Sequence, residues 1–406
     1  MAVHQIEEAK RCLNCRKPQC QKGCPISTPI PAMIQAFNQG KLNEAGKMLF
    51  ENNPMSLICS LICNHEKQCE GHCILGKKGQ PVHISSIENY ISDTCFERME
   101  LVEVPKKNKK VAVIGAGPAG LTIAVLLARK GYYITIFDAK DRIGGILQYG
   151  IPEFRLPKSI LERYRQKLIE FGIWLRPNTA IGESLTINDL FRDGYKSIFI
   201  GTGVWKPKAL GIKGESLGKV HFAIDYLANP DVYSLGKKVA IIGMGNSAMD
   251  VARTAIRKGA SEVTLYARGL KSSASESEIA YAKVDGARLV FGKKIVEITE
   301  EGPVFCNVHY DEDENVLGVE EETIQIVVDS TIIAVSQGPK NRLVSTTEGL
   351  KATDKGLLET NDEGETTREG IFAAGDVVLG AKTVVEAAAY SKIVAQAMDD
   401  YMEGLD

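Results

Sequence analysis

Apolar residues in the first hundred positions recur at helical spacing, whereas those after position 110 gather into short strand-like runs. Within Ile30–Met48, Ile34, Phe37, Leu42 and Ala45 stand three to five residues apart, which predicts helix. Val111–Ile114 then reads as a strand, Pro118 to about Lys130 as a helix, and Tyr133–Phe137 as a second strand ending on Asp138, a βαβ unit. The alternation returns with Lys238–Ile242 as strand, Ala248–Lys258 as helix and Glu262–Tyr266 as strand. Thr323–Val335 predicts further strands, and the acidic Asp311-Glu-Asp-Glu314 reads as a solvated hairpin tip. Gly370-Ile-Phe-Ala-Ala-Gly375-Asp376 leads into a helix over Val384–Met398. The expected class is α/β, a helical N-terminal domain followed by two doubly wound α/β domains.

At 406 residues the chain can bury two or three cores. Its 49 basic and 51 acidic side chains leave a formal charge of −2, so no global field draws it to nucleic acid or to an anionic membrane. Pro105-Lys-Lys-Asn-Lys-Lys110 is expected to be a solvated tether between domains. The opening residues hold no apolar run that would serve as a signal peptide, and no uninterrupted apolar stretch reaches transmembrane length. A soluble, cytoplasmic protein is expected. Ten cysteines in that reducing compartment argue for metal or redox chemistry over disulfides.

Eight of those cysteines fall within the first 73 residues, at ligand-like intervals. Cys12, Cys15, Cys20 and Cys24 spell C-x2-C-x4-C-x3-C-P, and Cys59, Cys63, Cys69 and Cys73 spell C-x3-C-x5-C-x3-C. Iron and zinc both take thiolates, but tetrahedral zinc typically uses two separated C-x2-C knuckles, and only Cys12/Cys15 has that form. The first run resembles a ferredoxin ligand set, in which the cysteine before proline serves the other cluster. Two [4Fe–4S] clusters are therefore expected, with zinc or plain buried thiols as the alternatives. His65 and His72 lack paired metal spacing and are expected to be surface or packing residues.

Two glycine turns follow. Gly115-Ala116-Gly117-Pro118-Ala119-Gly120 stands between a strand and a helix, the arrangement in which a dinucleotide pyrophosphate approaches backbone N–H groups. Asp138, at the end of the next strand, is placed to accept hydrogen bonds from the adenosine ribose. Gly243-Met244-Gly245-Asn246-Ser247-Ala248 forms the second such turn. The strand after it ends Tyr266-Ala267-Arg268, with no acid, so Arg268 and Lys271 favour a nucleotide carrying a 2′-phosphate, while NADH remains open.

The first turn, Ile198-Phe-Ile-Gly-Thr202-Gly203 and Ala373-Ala-Gly375-Asp376 together resemble the two-dinucleotide flavoprotein disulfide-reductase-like superfamily. That resemblance implies FAD on the first turn, nicotinamide nucleotide on the second, Asp376 at the flavin ribityl chain, and Thr383 to Glu386 opening a helix toward the isoalloxazine ring. The run Gly144-Gly145-Ile146-Leu-Gln-Tyr149-Gly150-Ile-Pro-Glu-Phe-Arg155-Leu-Pro157, with the cysteines, resembles the small (β) subunit of NADPH-dependent glutamate synthase over nearly the whole chain. The same module is the N-terminal half of dihydropyrimidine dehydrogenase and the large subunit of the bifurcating NADH-dependent ferredoxin:NADP oxidoreductase. This closer resemblance implies that Gly145, Ile146, Arg155 and Ile181 also line the FAD site, and that Tyr149 and Gly150 join Thr383 and Glu386 around the flavin ring. It implies a first cluster on Cys12, Cys15, Cys20 and Cys73, and a second on Cys24, Cys63, Cys69 and a non-thiolate ligand, for which Glu88 is the candidate. Cys59, Cys95 and Cys306 are then ordinary cysteines, although Cys59, four residues before Cys63, competes with Glu88 on proximity. Relatives carry tandem basic residues where Ala267 and Arg268 stand, and some use an arginine near the place of Ala274.

The implied domains are 1–104, helical and iron–sulfur; 105–215 and 338–406, the two parts of the FAD domain; and 216–337, an inserted NAD(P) domain. The implied activity is hydride transfer from NADPH or NADH to FAD, with electrons leaving through the clusters to a partner subunit, so a hetero-oligomer is expected. The partner is the glutamate synthase large subunit or, alternatively, ferredoxin or another flavoprotein subunit. A thioredoxin-reductase-like activity, which needs a redox-active C-x2-C beside the flavin, is not expected, because only Cys306 lies beyond Cys95.

Overall fold

A computed structural model describes residues 2–100 and 104–405. Met1, residues 101–103 and Asp406, which belong to the expected first and last domains, lie outside the described residues. Two compact units emerge: Met1–Leu147 with Glu153–Val204 and Pro339–Asp406, and Gln148–Pro152 with Trp205–Gly338.

The first unit begins with the helices Ala2–Lys10, Gln19–Lys22, Ile30–Asn38, Leu42–Asn52, Ser56–Ile62 and Ile84–Cys95. Their shared core holds Met33, Ile34, Leu49, Ile87 and Ile91. The single helical stretch expected over Ile30–Met48 is two helices. Gly40 takes φ +75°, Gly40 N–H donates to the Phe37 carbonyl (3.0 Å), and Lys41 N–H donates to that of Ala36 (2.9 Å). This left-handed C-terminal cap ends the helix and lets the chain fold back.

The same unit contains a five-stranded parallel sheet in the order Ile371–Ala373, Tyr195–Ile200, Lys110–Ile114, Tyr133–Phe137, Trp174–Arg176. Val111, Ala112 and Val113 are wholly buried, as parallel strands covered on both faces must be. The helical domain packs on this fold through Phe50, Phe96, Tyr164 and Phe171, with the Tyr164 hydroxyl donating to the Pro54 carbonyl (2.8 Å).

The second unit repeats the plan with the order Val220–Phe222, Ser330–Ile333, Lys238–Ile242, Glu262–Tyr266, Arg288–Val290, again parallel. An antiparallel sheet of Lys293–Thr299, Gly302–Tyr310 and Val316–Gln325 follows the last strand. The strand prediction over Thr323–Val335 thus resolves into the end of one strand and Ser330–Ile333, and the acidic segment 311–314 is the hairpin tip. Among the described residues no helix is long and apolar enough to cross a membrane.

Within the first unit, one buried carboxylate of the closing helix Val384–Glu403 anchors it to the segment around the strand Tyr133–Phe137. Asp399 accepts hydrogen bonds from Lys107 (2.9 Å), Lys130 (2.6 Å) and the Tyr132 hydroxyl (2.7 Å). Burial raises its pKa, but the bonds from Lys130, Lys107 and Tyr132 outweigh that and hold it below the usual carboxylate range. Its charge therefore stabilises the fold above the unfolded-state pKa near 4, and the contribution is lost as pH falls through the lower folded value. Asp399→Asn is expected to cost about 1–3 kcal/mol at pH 7 and to flatten the acid limb of stability, read by urea unfolding at neutral and acid pH.

Candidate redox site

Cys12, Cys15, Cys20 and Cys73 line one cavity of about 470 Å³, counted with its open mouth and walled by Ile30, Ile34, Val82 and Ile84. The turn after helix Ala2–Lys10 presents Cys12 and Cys15, with Asn14 between them at φ +47°. Cys20 sits in the short helix Gln19–Lys22, and Cys73 precedes the 3-10 turn Ile74–Lys77. The loop delivering Cys69 and Cys73 is wound about one carbonyl, that of His65, which accepts from the N–H groups of Gln68, Glu70 and Gly71 (3.2, 3.0 and 3.1 Å). The His65 ring is largely buried and burial lowers its pKa, whereas the His72 Nδ1 lies 2.6 Å from the Gln68 carbonyl.

Burial pushes the Cys20 thiol up to about 11, partly offset by the Gln21 N–H, and raises Cys12 as well, with Cys15 and Cys73 adding repulsion. Thiols so placed ionise only against a compensating cation. Among the described residues no three His, Cys, Asp or Glu side chains converge closely enough to hold one metal ion. The four sulfurs instead rim a volume, and this donor set suits a polynuclear iron–sulfur cluster.

A second group forms around Glu88. Glu88 lies on the buried face of helix Ile84–Cys95, and burial, with a further push from Glu70, raises its carboxyl to about 8. Its charge acts on both Cys63 and Cys69, and Cys24 also acts on Cys69. The structure therefore gathers Cys24, Cys63, Cys69 and Glu88 within electrostatic reach of one another. Cys59 is not isolated from this group. It hydrogen-bonds Cys63, which is the leading cause of that thiol's raised pKa, and its sulfur accepts from Asn53 Nδ2 (3.4 Å).

In the first parallel sheet, three sequence motifs meet at the carboxyl ends of the central strands, where ligands bind in doubly wound folds. A Cβ on Gly120 would lie 1.9 Å from the Gly115 carbonyl oxygen, and one on Gly115 would lie 2.5 Å from that of Gly201. Gly375 sits where a Cβ would approach that of Ala119 to 3.0 Å. Gly144 N–H donates to the Ala116 carbonyl (2.7 Å), and Gly145 presses on the Gly117 backbone, where a Cβ would lie 2.9 Å from Cα. Gly117 is extended and opens helix Pro118–Ala128, leaving the turn's N–H groups at the helix start. This is a cradle that side chains would fill, and it fits a dinucleotide pyrophosphate.

Asp138 is also used within the chain: Oδ2 accepts from Ala116 N–H (2.6 Å) and Oδ1 from Lys140 N–H (2.7 Å). Asp376 heads the turn Asp376–Leu379 and accepts from Lys382 N–H (3.1 Å), with burial raising its pKa to about 6. Thr383 and Glu386 form a capping box that opens helix Val384–Glu403. Thr202 and Gly203 follow strand Tyr195–Ile200, and Ile181 is buried in the apolar cluster with Phe137 and Ile187. Ile146 belongs to the first unit, as do Arg155, Thr383 and Glu386, whereas Tyr149 and Gly150 group with the second, where Tyr149 meets Trp205 edge-on at 6.3 Å.

In the second unit Gly243 takes φ +136°, and a Cβ there would lie 2.3 Å from the Ala334 carbonyl oxygen. Helix Asn246–Arg257 starts at Asn246, two residues before the expected Ala248. The loop after strand Glu262–Tyr266 folds over this turn: Ser272 Oγ donates to the Met244 carbonyl (2.6 Å), Ser273 N–H donates to the same oxygen (3.2 Å), and Asn246 Oδ1 accepts from Ser275 N–H (2.9 Å). Nothing in the chain's local pattern marks Ser272 and Ser273 as partners of the glycine turn, because a serine-rich loop has no fixed spacing to the residues it folds onto. Arg268 and Lys271 lie on the same loop.

Thiol clusters joined to paired dinucleotide folds define an NAD(P)H-dependent FAD and iron–sulfur oxidoreductase. Comparison with known proteins agrees. Residues 2–100 match the family model "Dihydroprymidine dehydrogenase domain II, 4Fe-4S cluster", and residues 109–391 match "Pyridine nucleotide-disulphide oxidoreductase". The chain is 35% identical to a glutamate synthase [NADPH] small chain from Halomonas elongata, over 98% of this chain and 90% of that one. It is 32% identical to the NAD-dependent dihydropyrimidine dehydrogenase subunit PreT of Salmonella typhimurium, over 98% and 94%. The solved structure of Mycobacterium tuberculosis FprA in complex with NADPH shares the fold at TM-score 0.60 and 16% identity, over 74% of this chain and 85% of that one. The chain belongs to the glutamate synthase small-chain family of pyridine nucleotide-disulphide oxidoreductases, and its cofactors are FAD, a nicotinamide nucleotide and [4Fe–4S] clusters.

Gly120→Ala, which drives a Cβ into the Gly115 carbonyl, is expected to cost about 3 kcal/mol locally and to strip the purified protein of flavin absorbance. Gly218→Ala, where a Cβ would meet nothing within 4 Å, should leave flavin content unchanged.

Proposed function

We propose that this chain oxidises NADPH or NADH and delivers the electrons to a separate protein, as the small subunit of a glutamate synthase-type complex. The observation that carries this reading is the pair of partly buried thiol groups, each gathered by the fold, on the same unit as a dinucleotide cradle. When bound, FAD accepts a hydride and the clusters carry electrons singly, so the reaction's hard chemistry belongs to the cofactors.

The chain's own residues position and insulate. Gly115–Gly120 and Asp376 hold FAD, with Asp138 at its ribose end; Thr202, Gly203, Gly145, Ile146, Arg155 and Ile181 complete that site. Gly243, Met244, Gly245, Asn246 and Ser247 take the nicotinamide nucleotide, and Arg268 meets its adenosine end. Cys12, Cys15, Cys20 and Cys73 hold the first cluster, and Cys24, Cys63, Cys69 and Glu88 the second. The apolar wall of Ile30, Ile34, Val82 and Ile84 backs the first set of sulfurs.

A second reading, a subunit delivering electrons to a dihydropyrimidine dehydrogenase or ferredoxin-type partner, is favoured by the PreT relative, which this chain matches over 94% of its length. Anaerobic co-purification that identifies the redox partner separates the two.

The purified chain should carry about one FAD and eight irons. It should reduce ferricyanide with a nicotinamide nucleotide yet form no glutamate from glutamine and 2-oxoglutarate alone. Glutamate formation by the isolated chain would overturn the subunit reading.

Glu88→Ala is expected to shift the redox behaviour or stability of one cluster, while Cys59→Ala keeps its iron. Loss of about four irons in Cys59→Ala, with Glu88→Ala unchanged, would make Cys59 the ligand instead.

A further inference from the structure

The choice between NADPH and NADH is made at the end of strand Glu262–Tyr266, where a 2′-phosphate would lie. Two cations, Arg268 and Lys271, occupy the loop that follows. The hairpin of strands Gly302–Tyr310 and Val316–Gln325 reaches this same loop, an approach the sequence does not announce. The Tyr310 hydroxyl donates to the Arg268 carbonyl, and from the adjoining strand Lys293–Thr299 the Lys293 N–H donates to the Ala267 carbonyl (2.9 Å). At the tip, Asp311 accepts from both Asn315 N–H (2.7 Å) and Asn315 Nδ2 (3.0 Å), and Glu314 N–H donates to the Asp311 carbonyl (3.1 Å). That turn holds Glu314 at φ +64°, a conformation few side chains adopt, and sets its carboxylate 2.7 Å from Lys271 Nζ.

We propose that Glu314 is a specificity-determining residue that biases this chain away from NADP(H) and toward NAD(H). The inference rests on the reading that the Gly243–Gly245 turn takes the nicotinamide nucleotide. Glu314 engages one of the two cations available to a 2′-phosphate and sets a carboxylate beside it. A 2′-phosphate must displace that carboxylate from Lys271 and bears its repulsion; a 2′-hydroxyl is uncharged and experiences neither. Lys271 and Glu314 are 75% and 44% exposed, so the effect is screened and modest.

Calorimetric titration of the full chain with NADP⁺ and NAD⁺ tests this without turnover. Glu314→Gln should lower the Kd for NADP⁺ relative to NAD⁺ by roughly two- to fivefold. The gain should shrink in about 1 M salt, where the screening length falls to about 3 Å. Glu314→Gly, which removes the carboxylate while glycine accepts the left-handed backbone, should reproduce the shift and so exclude loss of the turn as its cause. Glu322→Gln, an exposed charge on the strand Val316–Gln325 of the same hairpin, should leave the ratio unchanged. An unchanged ratio in Glu314→Gln, or an equal change for both nucleotides, overturns the proposal. Failure of the underlying reading looks different: neither nucleotide binds the unaltered chain, or Gly243→Ala leaves both affinities intact.

Discussion

Close approach of backbone to backbone at the carboxyl ends of the two parallel sheets is the constraint on which the other features depend. Gly120 against the Gly115 carbonyl, Gly115 against Gly201 and Gly243 against Ala334 leave no room for a Cβ. Only because these positions are bare can the helix N-termini descend onto the strand ends with their N–H groups facing outward. The flanking motifs then fall into place: Gly144 and Gly145 seal the first turn, Gly375 packs on Ala119, and Ser391 reaches the Ala119 carbonyl from the closing helix (3.4 Å). Without that contact geometry the same strands and helices would still pack, but no phosphate could reach the backbone.

The cysteine domain obeys a different rule. Its helices bury an apolar core, and most of the thiols stand in the turns and short segments between them, where partial burial opposes ionisation. Cys12, Cys20, Cys63 and Cys69 are all raised, with burial leading for all but Cys63, where the Cys59 hydrogen bond comes first. A protein that wanted these groups only for packing would have no need to set four of them around one cavity. Iron reverses the balance, since its charge favours the thiolate that burial disfavours, and binding then contributes to folding. The aromatic seam of Phe50, Phe96, Tyr164 and Phe171 holds this domain on the dinucleotide fold within a single unit.

The loops after the second glycine turn sit at the margins of this framework. The loop carrying Arg268 and Lys271 is held by the hairpin beyond it, through the Tyr310 hydroxyl on the Arg268 carbonyl and the Glu314 carboxylate beside Lys271. Such segments tolerate change because the sheet beneath them does not rely on them.

Much of the molecule is legible in the chain because it depends on local pattern. The strands Tyr133–Phe137, Lys238–Ile242 and Glu262–Tyr266 have the bounds their β-branched runs predict, and the glycine spacings place both turns between strand and helix. The break at Gly40 is likewise written in a single residue, but the apolar spacing that continues across it masks it. Long-range partners are another matter. That Cys73 closes the cavity begun by Cys12 more than fifty residues earlier, that the Asp138 carboxylate takes the Ala116 N–H, that Cys59 hydrogen-bonds Cys63 beside Glu88, and that Glu314 meets Lys271 are decided by packing. Periodicity and spacing report what a residue does to its neighbours in the chain; which distant group it faces depends on how whole elements are stacked, and only the tertiary structure holds that information.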